Sequence, residues 1–220
     1  MHLPVLLKVE GTLCLVVGGG RVAERRANLL VEAGARVRVI SPAVSDGLDR
    51  LALEGRVEVR PRPFGPGDLD EPGIRLVVAA TDDPAVNRFV CSEAGRRGLL
   101  VNAAAQADDP DGNVDLPAVV RRGKLVLAVS TSRASPGLAS RIRRRLEEEF
   151  PPDYAAYVEF LAEMRALLKE RVPDPERRRR LMEELLDLDW RPHAKNGTFD
   201  DLRGRLILEW RIDGPAEAEG

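Results

Sequence analysis

The sequence predicts an α/β fold with a mostly parallel sheet in its first half and helices in its second. Up to about residue 116, short apolar runs alternate with segments of helical periodicity, and residues 13–40 form one strand–glycine turn–helix–strand unit. Beyond Pro151 no strand pattern occurs until about Leu206. Alternating strands and helices favour a parallel sheet with helical crossovers, so we expect one α/β domain followed by a helical region.

The first βαβ unit is the clearest element. Leu13–Val17 is a continuous apolar run, which is typical of a strand buried on both faces. Apolar residues then recur at helical spacing over 21–33, Gly34 ends that helix, and Val37–Ile40 predicts a second strand. Because about thirty residues suffice for a βαβ crossover, the sheet is at least partly parallel.

The remaining elements follow from the same patterns. Up to residue 101 we predict strands over 57–59, 74–80 and 99–101 and helices over 48–53 and 84–98. The Asp- and Asn-rich stretch 102–115 is predicted as a loop at the carboxyl edge of the sheet, where open α/β sheets bind ligands. After Pro117 we predict a strand over 125–129, a polar turn over 130–135, and helices over 136–150, 154–168 and 175–188.

Composition narrows the class of protein. The 220 residues carry 34 Lys plus Arg against 36 Asp plus Glu, so a net charge of −2 gives no reason to expect nucleic acid or an anionic membrane as partner. No apolar run approaches the ~20 residues that span a bilayer. Cys14 and Cys91 lie in apolar segments without CxxC spacing, which argues against disulfides and zinc and favours the cytoplasm. We predict no bound metal.

A glycine motif predicts the cofactor. Gly18-x-Gly20-x-x-Ala23 matches the G-x-G-x-x-A fingerprint and lies between a predicted strand and a predicted helix. The first glycine permits a tight turn, the second lets a phosphate approach the backbone, and the alanine keeps the helix close to the sheet. We therefore predict that NAD binds here, its pyrophosphate held by Gly18, Gly19, Gly20, Arg21, Val22 and Ala23.

The fingerprint lacks the acidic residue expected about twenty positions on, which would bind the adenine ribose. Ile40-Ser41-Pro42 occupies that place. We expect Ser41 and the backbone of Pro42 and Ala43 to bond the ribose instead, whereas Arg38 would meet a 2′-phosphate only if it faced the site. These residues favour NAD over NADP.

Residues 81–83 end the fourth predicted strand beside this site. We expect Thr81 and Asp82 to line the nicotinamide side of the cofactor. Asp83 precedes Pro84, and that pair is typical of a helix N-terminus because the carboxylate caps free N–H groups and the proline fixes the first helical residue. Asp83 is therefore interpreted as a helix cap.

Five separated motifs occur in an order that resembles a known family. They are Val17–Arg26, Thr81-Asp82-Asp83 with Asn87, Asn102, Pro117, and Ser130-Thr131 with Ser135-Pro136. With these motifs the chain resembles the precorrin-2 dehydrogenase/sirohydrochlorin ferrochelatase family, which also forms the N-terminal half of siroheme synthase. The resemblance covers roughly residues 3–150.

The resemblance implies an activity and an assembly. The activity is NAD-dependent oxidation of precorrin-2 to sirohydrochlorin, in siroheme or cobalamin biosynthesis, followed in some members by insertion of ferrous iron to give siroheme. The fold would be a Rossmann domain over 1–116, a dimerisation region over 117–150 and a helical C-terminal domain over 151–220, assembled as a homodimer.

The resemblance also points to a catalytic acid and a substrate site. The family carries Asn-x-x-Asp, but this chain has Ala105 three residues after Asn102. If residues are inserted before Ala107-Asp108-Asp109-Pro110, Asp108 becomes the candidate, and its carboxylate would accept a proton as hydride leaves. The alternative is a solvated loop acid.

The resemblance implies that Asn102, Arg133 and Ser135 contact the tetrapyrrole. Arg133 suits its carboxylate groups, because guanidinium groups bind carboxylates in a forked geometry.

Three functions stay open from the sequence. The chain is a dehydrogenase with chelatase activity, a dehydrogenase without it, or a non-catalytic protein that senses NAD or carries the tetrapyrrole. The missing aspartate at Ala105 leaves the chelatase step in doubt.

Overall fold

Five parallel strands form the sheet of the first unit, residues 1–116. The computed structural model describes residues 2–104 and 112–212. The strands are β1 (Leu13–Val17), β2 (Arg36–Ile40), β3 (Val57–Arg60), β4 (Ile74–Ala79) and β5 (Leu100–Ala103). Their order in the sheet is β3-β2-β1-β4-β5. This confirms the α/β fold, with the strand order of a Rossmann-type sheet.

Helices cover both faces of the sheet. They are α1 (Arg21–Glu32), α2 (Asp46–Leu53) and α3 (Pro84–Arg96), and a short 3-10 helix spans Pro66–Leu69. Alternate residues of β1 face opposite sides: Cys14 and Val16 pack with α1 and α2, while Leu15 and Val17 pack with α3. A strand covered on both faces must be apolar throughout, which explains the unbroken run in β1.

The order of the strands places a crevice beside β1. In the sheet, β2 and β3 lie on one side of β1, and β4 and β5 lie on the other side. The crossovers on the two sides therefore diverge between β1 and β4. In open α/β sheets the ligand binds at this point, outside the carboxyl ends of the strands.

The second unit, residues 117–220, combines a small antiparallel sheet with helices. Its elements are β6 (Ala118–Arg122), β7 (Leu125–Val129), α4 (Pro136–Glu149), α5 (Tyr154–Arg171), α6 (Pro175–Leu186), α7 (Arg191–Asn196) and α8 (Phe199–Glu209). Stacked aromatic rings pack between the helices. The ring centroids of Tyr157 and Trp190 are 4.4 Å apart, and those of Phe160 and Phe199 are 4.8 Å apart.

Several local features differ from the sequence predictions, among them the helix α7 and the 3-10 helix, which were not predicted. β6 was not predicted, because its two arginines interrupt the apolar pattern of a strand that is only partly buried. Asn102 was placed in a loop and instead belongs to β5. The change of pattern near Leu206 belongs to the helix α8. Within the two described ranges, no helix combines the length and apolar character that crossing a membrane requires.

Candidate functional site

The carboxyl ends of three neighbouring strands meet at the glycine turn that follows β1. The Gly18 N–H donates to the carbonyl of Ile40 at the end of β2 (3.0 Å), and the Ala80 N–H, just after β4, donates to the carbonyl of Val17 (2.8 Å). The turn therefore lies at the crevice between β1 and β4, where the fold predicts a ligand.

The first two glycines of the turn are required by the fold itself. Gly18 has φ +120°, and a Cβ added to it would lie 2.4 Å from the carbonyl oxygen of Ala80. A Cβ added to Gly19 would lie 1.9 Å from the carbonyl oxygen of Ala43. A side chain at either position would displace neighbouring backbone, so packing alone explains both glycines.

Gly20 differs from its two neighbours. Its φ of −82° suits any residue, and a Cβ added to it would meet no heavy atom within 4 Å. Neither backbone strain nor packing within the described protein accounts for glycine here. A residue without a side chain at this point leaves room for a ligand to approach the backbone.

The same residue is the N-cap of α1, and no side chain caps the start of this helix. By contrast, α2 and α3 are capped by Ser45 and Asp83. An uncapped helix start directs free N–H groups and the positive end of the helix dipole outward, which favours an anion such as a pyrophosphate. The open space above Gly20 and the free donors of α1 therefore fit a dinucleotide.

The first turn of α1 fits the fingerprint in its packing. Ala23 is fully buried, Val22 is half-buried and Arg21 is exposed. Ala23 belongs to the core formed with Val16 and Val39 of the sheet. A larger side chain at Ala23 would lift the start of the helix away from the strands.

The loop after β2 packs against the glycine turn. Ser41 is 8% exposed, and its hydroxyl donates to the carbonyl of Ala43 at 2.6 Å. That same carbonyl lies over Gly19. The Ser41 proton is thus engaged in supporting the loop, which leaves its oxygen lone pairs for a ligand, while Pro42 and Ala43 are exposed beside the turn.

Arg38, the residue that could meet a 2′-phosphate, is paired with two carboxylates. It lies two residues before the end of β2, in register with Leu15 on the face covered by α3. Its guanidinium donates to Glu71 and to Glu58 (2.7 Å), and the hydrogen bond with Glu71 is the main reason its pKa is raised. Two carboxylates thus neutralise the charge of Arg38.

The segment after β4 is held by a residue outside the predicted site. Asn87 of α3 is 2% exposed; its Oδ1 accepts from the Thr81 N–H (3.0 Å) and hydroxyl (2.8 Å), and its Nδ2 donates to the Thr81 carbonyl (2.9 Å). Asp82 beside it is exposed. The structure confirms Asp83 as the cap of α3, since it accepts from the Ala85 N–H at 2.7 Å.

Asn102 lies near the end of β5 on the other side of the crevice. It is 3% exposed, and its Nδ2 donates to the Val114 carbonyl at 2.8 Å. Its Oδ1 is buried and accepts no hydrogen bond from the described residues. Asp108 lies outside the described residues. Among the residues that are described, no group of three His, Cys, Asp or Glu side chains is placed to hold a metal ion.

Arg133 and Ser135 belong to the second unit, in the turn between β7 and α4. Ser132 and Arg133 both have positive φ, at 49° and 69°. The Thr131 hydroxyl accepts from the Ser135 N–H, and Ser135 Oγ caps α4 by accepting from the Leu138 N–H (3.2 Å). Two consecutive left-handed residues strain the backbone, and such strain is common at ligand sites.

Comparison with family models matches two stretches of the chain. Residues 5–118 match a model described as "Putative NAD(P)-binding". Residues 154–195 match the model of the SirC C-terminal domain. The first match contains the whole sheet and the glycine turn, so this part of the chain binds a nicotinamide dinucleotide.

Known proteins extend the comparison to nearly the full chain. Siroheme synthase of Chromobacterium violaceum is 40% identical over 95% of this chain and 43% of its own length. Siroheme synthase of Pseudomonas entomophila is 43% identical over 100% of this chain and 46% of its own length. The chain thus spans less than half of these relatives. Among solved structures, SirC, precorrin-2 dehydrogenase, is 32% identical with a TM-score of 0.75, covering 94% of this chain and 100% of SirC.

Proposed function

The chain belongs to the precorrin-2 dehydrogenase family of SirC, and from this membership we propose that it oxidises precorrin-2 to sirohydrochlorin with NAD in siroheme biosynthesis. The observation that carries the proposal is the match along the whole length of SirC, which a shared cofactor domain alone would not produce. The uncapped start of α1 above Gly20 supports it independently, because it fits the pyrophosphate of the cofactor.

The proposed roles of the cofactor residues follow from their positions. The N–H groups at the start of α1 hold the pyrophosphate, the loop 41–43 contacts the adenine ribose, and Thr81 with Asp82 borders the nicotinamide. When bound, the nicotinamide supplies the acceptor for the hydride that leaves precorrin-2. We propose NAD rather than NADP, because Glu58 and Glu71 already pair with Arg38 and would compete with a 2′-phosphate for its guanidinium.

The oxidation also releases a proton, since removal of two hydrogens from precorrin-2 takes away one hydride and one proton. We assign the acceptance of that proton to Asp108, a carboxylate that follows β5 in the sequence. Asn102, Arg133 and Ser135 are proposed to contact the substrate. The free Oδ1 of Asn102 supports its assignment, because a buried acceptor without a donor is costly unless a ligand supplies one.

We also propose a homodimer in a reducing cytoplasm. The strands β6 and β7 pair only with each other within the described residues, so each leaves an edge open for pairing. Leu138 at the start of α4 is 49% exposed in the same unit, and a partner chain would cover it. Both cysteines are buried and neither belongs to a disulfide among the described residues, as in proteins that do not depend on oxidation.

The experiment is anaerobic incubation of the protein with precorrin-2 and either NAD or NADP, with the absorption spectrum followed over time. We expect the sirohydrochlorin spectrum to develop with NAD and more slowly with NADP. Asp108→Ala should abolish the oxidation while leaving NAD binding intact. If precorrin-2 persists with both cofactors, although NAD binds, the chain is a sensor or carrier. Ferrous ion, added afterwards as a substrate, tests the chelatase step separately.

A further inference from the structure

Ser45 connects the glycine turn to two helices. Its N–H donates to the carbonyl of Gly19 at 2.8 Å. Its hydroxyl donates to Glu24 Oε2 of α1 at 2.6 Å and accepts from the Leu48 N–H of α2 at 3.4 Å. Ser45 thus connects the starts of α1 and α2 through its hydroxyl, and it connects both to the glycine turn through its backbone N–H.

Gly47 makes room for this arrangement. A Cβ added to Gly47 would lie 2.0 Å from Glu24 Oε1 and 2.6 Å from Oε2. The Glu24 carboxylate therefore rests directly on the first turn of α2, where the positive end of that helix favours it. The φ of Gly47 is not in the left-handed region, so close approach of the carboxylate is the reason that glycine suits this position.

This arrangement does more than cap a helix. A comparable cap, Asp174, accepts from the Glu176 and Arg177 N–H groups of the helix that follows it and, within the part of the chain that the structure describes, from no other segment. Ser45 instead donates its backbone N–H to the Gly19 carbonyl of the glycine turn and its hydroxyl proton to Glu24 of another helix, α1. Its contacts therefore act on the geometry of the turn as well as on the stability of α2.

We propose that Glu24, Ser45 and Gly47 are positioning residues that orient the Gly20 N–H toward the pyrophosphate. A trans peptide is planar, so its carbonyl and N–H point in opposite directions. When Ser45 holds the Gly19 carbonyl on the side of α2, the Gly20 N–H of the same peptide points away from α2. The inference rests on the proposed function, since it assumes that a dinucleotide binds above Gly20.

The test measures NAD affinity by calorimetry and the unfolding midpoint of the protein without NAD for Ser45→Ala and Gly47→Ala. Ser45→Ala keeps the backbone N–H that holds the Gly19 carbonyl but removes the hydroxyl's hydrogen bonds to Glu24 and to the Leu48 N–H, so residue 45 is less firmly anchored. We expect this loss to weaken NAD binding about threefold to tenfold. Gly47→Ala should weaken NAD similarly by displacing the Glu24 carboxylate. Its midpoint should stay within about 3 °C, because alanine favours a helix over glycine by roughly what the lost hydrogen bond contributed.

Matched variants separate positioning from stability. Ser45→Thr keeps the hydroxyl and Glu24→Gln keeps an acceptor oxygen, so both should retain affinity within about twofold of the wild type. Asp174→Ala removes a cap in the second unit and should lower the midpoint without changing NAD affinity.

The two hypotheses fail in different ways. If the wild type binds NAD and both Ser45→Ala and Gly47→Ala bind it equally well, the positioning role is wrong and the proposed function stands. If the wild type itself does not bind NAD, the proposed function fails first.

Discussion

At the scale of single residues, three adjacent glycines lack a side chain for different reasons. Gly18 and Gly19 approach the backbone of neighbouring segments so closely that no Cβ fits. Gly20 has open space and an ordinary φ. Only the last of the three therefore points directly to a ligand, and substitutions at the three positions should have different effects.

We expect Gly20→Ala to fold with an unfolding midpoint close to that of the wild type, because its backbone angles suit alanine. Its affinity for NAD should fall at least about tenfold, since a methyl group would occupy the space that the phosphate approaches. Thermal unfolding and calorimetric titration with NAD measure the two effects. A Gly20→Ala protein that binds NAD normally would contradict the assignment of the pyrophosphate site.

Gly18→Ala serves as the comparison. Its φ of +120° and the carbonyl of Ala80 at 2.4 Å oppose any side chain, so we expect a loss of at least about 2 kcal/mol in the free energy of unfolding. Denaturant titration measures this loss. Equal stability of the Gly18→Ala and Gly20→Ala proteins would show that the two glycines are not distinguished as described.

Arg38 provides a test of cofactor preference. Arg38→Gln removes the partner of Glu58 and Glu71 and should lower the unfolding midpoint. The ratio of the dissociation constants for NAD and NADP should stay the same, because Glu58 and Glu71 already pair with the guanidinium. A selective loss of NADP affinity in this variant would instead place Arg38 at a 2′-phosphate.

At the scale of elements, patterns within a segment were predictable and contacts between distant segments were not. The bounds of β1 and the helix after the glycine turn follow from local periodicity. The Arg38–Glu71 and Ser45–Glu24 pairs join residues 33 and 21 positions apart. Spacing within a helix or strand carries no information about such pairs, so the actual environment of Arg38 became visible only in the structure.

The missed strand β6 has a related explanation. Its pairing with β7 is antiparallel and its residues are mostly half-buried, so it lacks the continuous apolar run of β1. The alternation that marks a strand with one buried face is interrupted by Arg121 and Arg122. Arg122 donates to the carbonyls of Glu147 and Phe150 at the end of α4, so tertiary contacts determine its role.

Asp68, in the short 3-10 helix Pro66–Leu69, should make the stability of the protein depend on pH. Asp68 accepts from Arg62 and from the Gly65 N–H (2.9 Å), and the hydrogen bond from Arg62 is the main cause that lowers the pKa of Asp68 below its ordinary 3.8. Its contribution to stability is complete above pH 3.8 and is lost as the pH falls through the lower pKa of the folded state.

The variant Asp68→Asn checks this effect. We expect the difference in unfolding midpoint between wild type and variant to be largest at neutral pH and to shrink below pH 3.8 as Asp68 becomes protonated. Thermal unfolding across that range measures the difference. A difference that stays constant down to the lowest pH would mean that the ionised carboxylate contributes nothing.

At the scale of the whole molecule, the chain combines a dinucleotide-binding unit with a second unit that carries the small sheet and the aromatic core. Siroheme synthases and SirC share both parts. The cofactor unit was predictable because its fingerprint is local. The sequence carries no comparable local fingerprint for the substrate, and the proposed acid Asp108 lies outside the described residues.

The proposed homodimer is tested by the mass of the protein in solution. The open edges of β6 and β7 and the exposed Leu138 should be covered in the dimer. Analytical ultracentrifugation should give twice the mass of one chain, and Leu138→Glu should shift the protein toward the monomer. A monomer at micromolar concentration would contradict the predicted dimerisation region.

The central claim is that the glycine turn binds NAD and that this NAD accepts the hydride of precorrin-2. The most direct measurement mixes precorrin-2 and NAD anaerobically with the wild type or with Gly20→Ala and follows NADH and sirohydrochlorin together. We predict one NADH for each sirohydrochlorin with the wild type, and a much slower rate with Gly20→Ala at the same NAD concentration. Sirohydrochlorin formed without NADH, or at equal rates by both proteins, would contradict the claim.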